Sequence, residues 1–218
     1  SSPSRGLGDV YKRQIRYTDM DFKMHFLPGK PLEQNSHKSL GLQTMYQGSI
    51  NNHSITVGLD LEMTEGQLNE FQTAPDVSFG PRLAYPKGAH YDYDVESKII
   101  AAFVNFEWNL TEKTKLVTGI RGEKVDYEYE TNITPGTKGR IQVAPNRNDD
   151  FTEFSPKLAI NHKINDDLAI FANFSRGNRA PQTTDLYRIQ SKQIPGGAKS
   201  EKLDSFEIDG FLHANDLS

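Results

Sequence analysis

The chain has 218 residues, a formal net charge of −4, no cysteine, a pI near 5.9 and a mean hydropathy of −0.66. The mild acidity argues against a general nucleic-acid binder, which carries a basic stripe, and the lack of thiols removes both a disulfide framework and the usual structural zinc site. No segment approaches the roughly 20 consecutive apolar residues of a membrane-spanning helix; the richest run, "IIAAFVNFEWNL", is broken by Asn105 and Glu107.

Residues 1–14, "SSPSRGLGDVYKRQ", show no strand alternation and read as an adapter-derived tail outside the fold. From there period-two alternation recurs, and helical spacing is almost absent. It predicts strands over Ile15–Phe26, Lys38–Gln47, Ser54–Met63, Ser97–Leu110, Thr114–Tyr129, Phe151–Lys163, Leu168–Gly177 and Leu203–Leu212. Several reach about ten residues or more, long against the soluble-protein mode of about 5–6 and suited to a tilted bilayer crossing.

The faces are consistent. Ile55, Val57, Leu59, Leu61 and Met63 share one side, opposite Thr56, Gly58, Asp60 and Glu62. Ile100, Ala102, Val104, Phe106, Trp108 and Leu110 oppose Phe103, Asn105, Glu107 and Asn109. In the third strand pair Leu158, Ile160, Leu168, Ile170, Ala172 and Phe174 form the apolar stripe. Near Lys124 the phase slips, and Val125, Tyr127 and Tyr129 continue on the other parity. A bulge would do this, and so would departure from a membrane zone.

The connections alternate: medium (Leu27–His37), short ("GSINNH"), very long (Thr64–Glu96), short ("TEK"), long (Glu130–Asp150), short ("INDD"), long (Asn178–Lys202). A meander puts alternate turns at opposite ends of the sheet. One end therefore has tight turns and the other elaborate loops, as in outer-membrane barrels with short periplasmic turns and long extracellular loops. The expected fold is all-β: an antiparallel meander forming a partial transmembrane β-barrel, about eight strands of a larger one. One face would meet lipid and the other a wet lumen. Phe106 and Trp108 near the short-turn end would belong to the aromatic membrane girdle; the competing placement is a soluble β-sandwich core.

At "FSPKLAINHKINDDLAIFANFSRGNRAPQTTDLY" the chain resembles the barrel of TonB-dependent outer-membrane receptors. The words that carry it are Ser155–Leu158, Ser175–Pro181 and Asp185–Tyr187, then "KSEKLDSFEIDG" (Lys199–Gly210) and "LTEKTKLVTGIRGE". Asn178 departs from the aromatic usual between the Gly and Arg of that motif, and Asp209 from a usual Gly. The resemblance implies an active-transport receptor with no catalytic residues and no cofactor. Such a receptor binds a scarce, large solute, most often a ferric siderophore and otherwise cobalamin, haem or a glycan. Its energy comes through the TonB–ExbB–ExbD complex, and its partners are that complex, the ligand and the lipid bilayer, with no nucleic acid. The family's barrel has 22 strands, and its plug domain and TonB box lie upstream, so 15–218 is expected to be an internal barrel piece of the cell outer membrane without the plug.

Candidate ligand contacts lie on the long loop "FGPRLAYPKGAHYDYDVES", with Arg82, Tyr85, His90, Tyr91 and Tyr93, and at "SRGNRAP", with Arg176 and Arg179 near the mouth. The bland alternative makes the loop tyrosines packing residues and the arginines partners of nearby acids. Arg121 and Glu123 are expected to face the lumen, against the plug. The six histidines show no H-E-x-x-H spacing and no metal site is expected; there is no G-x-S-x-G and no defensible nucleophile–base set. A passive porin-type barrel, a barrel enzyme and a soluble β-sandwich binding module remain the alternatives.

Overall fold

The computed structural model describes residues 10–25 and 31–212. Eight long strands form one antiparallel sheet: β1 (Val10–His25), β2 (Leu32–Ile50), β3 (His53–Gln72), then β6 (Gly88–Asn109), β7 (Thr114–Thr131), β10 (Arg147–Lys163), β11 (Leu168–Arg179) and β13 (Glu201–Leu212). Each pairs with the next, so the topology is a pure meander. The long connections carry their own small elements: hairpin β4 (Val77–Phe79) and β5 (Arg82–Tyr85), hairpin β8 (Gly136–Lys138) and β9 (Ile141–Val143), helix α1 (Thr183–Tyr187), and β12 (Ile189–Gln190), which pairs with β9.

All eight expected strands are present, and most run past their expected ends, chiefly at the loop-bearing end. β3 runs on to Gln72, β6 starts at Gly88, and β10 starts at Arg147. β1 also begins earlier than the alternation suggests, its Val10–Gln14 pairing with Gln47–Gln43 of β2. Residues 1–9 of the expected tail, and 213–218, lie outside the described residues.

The short ends are closed by local side chains. Asn51 adopts a φ of 55° in the two-residue turn between Ile50 and His53, a left-handed conformation that asparagine tolerates. Asn165 accepts hydrogen bonds from the backbone N–H groups of Asp167 and Leu168, holding the turn between β10 and β11.

Register places apolar side chains in continuous outer rows. Tyr11, Tyr46, Val57, Val104 and Ile120 follow one another across β1, β2, β3, β6 and β7. Ile160, Ala172 and Ile208 continue the outer face across β10, β11 and β13. These side chains meet no second protein layer among the described residues: Ile100 is 54% exposed, Leu158 49% and Ile170 45%. A sandwich would bury them. About half of each such side chain stands open, and burial of a Val, Leu or Ile contributes roughly 1.5–3 kcal/mol, so apolar surroundings are required to make this surface favourable.

Higher on the same strands the apolar face changes sides. On β6 the outer residues become Asp92, Asp94, Glu96 and Lys98, while inner Tyr91, Tyr93 and Val95 are buried. On β7 the outer residues become Lys124, Asp126 and Glu128, and inner Val125 and Tyr129 are buried. The β6–β7 and β7–β10 ladders run through this level without a register shift. The bulge, one of the two readings of the phase slip at Lys124, is absent there, and the apolar side chains change face along an unbroken ladder. Beneath the loops Leu68, Tyr91, Tyr93, Val95 and Tyr129 pack against Ile141, Val143, Ala144, Leu186 and Tyr187.

Candidate functional site

The inner face has two levels. The lower is a polar wall built from cross-strand ion pairs that reach over a small residue. Arg16 on β1 bonds Glu62 on β3 at 2.5 Å, passing over Gly41, which stands opposite both. A Cβ at Gly41 would already touch the Glu62 carboxylate at 3.7 Å and the Arg16 guanidinium at 3.9 Å. Arg121 on β7, opposite Phe103 of β6, donates diagonally to Asp60 on β3 at 2.5 Å and to Glu123 at 2.8 Å, and the β6 residue opposite Asp60 and Glu123 is Ala101, 1% exposed. Strands next but one are about 10 Å apart, so only a long side chain over a short one closes that gap. Arg121 and Glu123 thus lie on the face opposite Ile120. Glu153, opposite Glu123, is reached at 3.5 Å by Lys202 from the loop end of β13.

Phe103 belongs to this wall too, its ring lying over Gly58 in the space that a Cβ there would occupy. The strand glycine leaves the room, and the aromatic of the neighbouring strand fills it.

The upper level is the mouth, where three loops fold over the inner face. The connection from β11 to β13 descends against the wall as a strap. Tyr127 donates to the Pro181 carbonyl at 3.1 Å, Tyr91 donates to the Ile189 carbonyl at 2.5 Å, and Tyr187 donates to Asp149 at 2.9 Å. The Tyr187 ring stacks on Tyr129 with centroids 4.3 Å apart, a geometry worth about 0.5–1.5 kcal/mol beyond its area. α1 begins in a capping box, the Asp185 carboxylate accepting from the Gln182 N–H at 3.0 Å. Burial, and then the bond to Asp149, push the Tyr187 phenol above its ordinary range.

The strap's charge anchor is Arg188. Its Nη2 donates to Glu33 of β2 at 2.5 Å and to Glu70 of β3 at 2.6 Å. Both carboxylates are almost fully buried. They stand on the stretches of β2 and β3 that rise above the apolar band. Burial acts against the Arg188 charge, yet the attraction of Glu70 and Glu33 outweighs it and raises its pKa. Burial likewise pulls the Glu70 carboxyl upward, and hydrogen bonds from His90 and Arg188 overcome this and hold it below the usual carboxylate value.

The candidate ligand residues divide. His90, Tyr91 and Tyr93 sit on β6, within a strand that extends far into the expected loop, and are 0%, 3% and 5% exposed. The loop is shorter than expected because Asp92, Asp94 and Glu96 place charge on the outer face there, which hides the strand from an apolar alternation. Tyr85, at the end of β5, accepts a hydrogen bond from Arg140 at 2.8 Å and carries that guanidinium over its ring at 5.1 Å. Arg82 opens β5, and its side chain lies outside the described residues.

Arg176 points to the outer face by parity with Ile170 and Phe174, and is held bidentately by Asp204 at 2.6 and 2.8 Å. Arg179 pairs with Glu201 at 3.0 Å. The acids opposite both arginines on β13 occupy them. The Asn178 amide donates to the Phe154 carbonyl at 2.7 Å and to Ser155 Oγ at 2.9 Å. The β10–β11 ladder ends at Lys157 and Ser175, just short of Pro156, and proline has no N–H for a ladder. Asn178 supplies a bond where the backbone pairing has stopped.

Phe106 and Trp108 lie near the short turns with ring centroids 5.0 Å apart and nearly parallel, and Trp108 Nε1 donates to Thr118 at 3.1 Å. Both share the outer parity of Ile100 and Val104. Sequence reasoning missed Glu33, Glu70, Arg188, Arg147 and Asp149. Arg188 stands 155 residues from Glu33 and 118 from Glu70, so no local spacing announces the cluster. Among the described residues no group of three His, Cys, Asp or Glu could hold a metal ion, and no helix is long and apolar enough to cross a membrane, which leaves crossing by strands untouched.

No curated protein matches the chain. Solved structures do. The chain is similar to "Copper transporter OprC" at a TM-score of 0.68 and 13% identity, covering 95% of this chain and 34% of that one. It is similar to the ferric citrate transporter FecA in its unliganded form at 0.66 and 17%, covering 93% and 29%. It is also similar to the ferric yersiniabactin uptake receptor FyuA from Yersinia pestis at 0.59 and 13%, covering 95% and 31%. The chain therefore spans about a third of the length of each of these proteins, and at such identities the likeness is one of fold. The family model "TonB dependent receptor-like, beta-barrel" matches residues 4–216, and the chain belongs to that family.

Proposed function

We propose that this chain forms part of an outer-membrane receptor that binds a scarce, large solute at its loop-bearing mouth and imports it with TonB-coupled energy. The observation that carries the reading is the reversal of faces. Apolar side chains look outward along a band of the sheet, and the inner face behind them is charged and hydrogen-bonded. That arrangement suits hydrocarbon outside and a wet lumen inside. Phe106 and Trp108 serve at the membrane interface, and Arg121 and Glu123 line the lumen against the plug.

No covalent chemistry is required of these residues, and the receptor is not an enzyme. The TonB–ExbB–ExbD complex supplies the energy through a plug and TonB box outside this stretch. A ferric siderophore is the cargo we favour; iron-transport proteins stand among the structural relatives, beside a copper transporter. Within the mouth, His90, Tyr91 and Tyr93 act by holding the loops. Ligand contact is assigned to the loop positions Arg82 and Tyr85, while Arg176 and Arg179, held by Asp204 and Glu201, steady the strand end.

Deletion of the gene under iron limitation tests the reading. Uptake of labelled ferric chelates is expected to fall, and unchanged uptake would remove iron from the proposal. A parent reading frame without an upstream plug would favour a passive porin-type barrel instead.

A further inference from the structure

We propose that the mouth is locked by a buried proton: His90 is held as an imidazolium between Pro86 and Glu70, and through Glu70 and Arg188 it fastens the strap Pro181–Gln190 to the wall. The proposal deepens the receptor reading above and rests on it for the setting, though not for its test.

Hydrogen-bond roles require the proton. The ring of His90 is completely buried. Its Nε2 lies 2.7 Å from the Pro86 carbonyl oxygen, which can only accept, so Nε2 carries a hydrogen. Its Nδ1 lies 2.9 Å from Glu70 Oε1. A bare ring nitrogen and a carboxylate oxygen are both acceptors, and at that distance in a buried site they repel unless a proton sits between them. The other oxygen of Glu70 accepts at 2.6 Å from Arg188, a permanent cation, and this favours the carboxylate. These bonds assign the proton to the ring.

With His90 charged, the cluster balances. His90 and Arg188 each carry a positive charge, and Glu33 and Glu70 each a negative one. Removing the His90 proton leaves one excess negative charge among groups that burial already disfavours. Three neighbouring polar side chains are themselves hydrogen-bonded, one of them to a member of the cluster. Tyr91 donates to Ile189, Asn35 donates to Glu33 at 2.6 Å, and Tyr85, whose ring lies 6.1 Å from that of His90, accepts from Arg140.

The contacts also close into a circuit. From the strap they run Arg188, Glu70, His90, Tyr85 and Arg140, and then return to the residue that follows the strap, because the Ser191 N–H donates to the Arg140 carbonyl at 2.8 Å. Strap, β4–β5 hairpin and β8–β9 hairpin are thus tied into a single body. Thr184 and Arg188 of that body line two recesses, one of about 640 Å³ against the lower wall and one of about 440 Å³ on the loop side. The strap is the partition between them, and release of the proton would free it.

The test uses the full-length receptor in detergent micelles, without ligand. ¹⁵N-labelled histidine spectra, with His90 assigned by its loss in His90→Gln, should show hydrogens on both ring nitrogens while the strap is docked. Raising the pH should strip one of them. Hydrogen exchange across Thr183–Gln190, corrected for its intrinsic pH dependence, should accelerate at least tenfold with the same midpoint. Arg188→Met, which leaves His90 in place, should accelerate strap exchange similarly while β6 and β7 stay protected. A singly protonated His90 beneath a protected strap would overturn the proposal, as would strap exchange indifferent to the His90 titration or to Arg188→Met. Solute uptake enters none of these readings, so a receptor for an unforeseen cargo would give the same spectra and exchange rates.

Discussion

The lower and upper halves of the same strands obey opposite rules. Between Val104 and Ile100 on β6 the apolar side chains face out, and beside inner Ala101 and Phe103 the neighbouring strands bring Asp60, Arg121 and Glu123 to the wall; from Val95 to Tyr91 the apolar side chains face in and the outside bears Asp92, Asp94 and Glu96. The backbone ladder does not change between them. The phase of a strand's alternation is therefore a depth gauge: it reports what lies outside at each height, hydrocarbon below and water above. The mouth is stabilised as an ordinary protein core is, and the wall by its surroundings.

Substitutions separate the two halves. The largest effect is expected in the mouth from Tyr187→Ala, which removes the stack on Tyr129 and the bond to Asp149. Truncation of a buried aromatic costs about 3–5 kcal/mol, and here it should appear as fast hydrogen exchange in α1 and β12 with the long strands unaffected. In the wall, Val104→Arg should destabilise by about 2–4 kcal/mol in refolding into lipid vesicles. Glu96→Arg, nearer the mouth on the same outer face, should change refolding little. Equal losses from the two arginines would erase the comparison.

Acid should loosen the mouth selectively. The Glu70 carboxyl is held below its ordinary value of 4.5, so its contribution is complete above that value and is lost as pH falls through the lower folded one. Hydrogen bonds to charged groups contribute about 1.5–3 kcal/mol, and strap exchange on stepwise acidification would measure the loss. The smallest effects belong to the strand end. Asn178→Ala should cost about 0.5–1.5 kcal/mol through the bond to Phe154. Arg176→Ala, in an exposed pair with Asp204, should give no resolvable change in refolding.

The wall was legible from the residues alone because its signal is local. Ile55 to Met63 and Ile100 to Leu110 alternate within a single strand, and the turns at "INDD" and "TEK" mark strand ends. Strand order and the meander topology follow from that. The mouth was legible only in part. "YDYDV" alternates too, but in the opposite phase, and it reads as a loop when the apolar side is assumed to be outermost. The Glu33, Glu70 and Arg188 cluster joins three distant segments, and nothing in the neighbourhood of each acid predicts the meeting. Asn178, a departure from the family's motif, finds its reason only where the ladder stops at Ser175.

This stretch has no cysteine, so once any cysteine elsewhere in the receptor is replaced, single spin labels can be placed along one strand in the membrane-embedded protein. Labels at 100, 102 and 104 should be accessible to oxygen dissolved in lipid, and labels at 101, 103 and 105 to a water-soluble nickel chelate or to neither reagent. At 92, 94 and 96 the same outer face should switch to the water-soluble reagent. Outer labels at 100–104 that meet water, or that are shielded from both reagents, would contradict the account at its root.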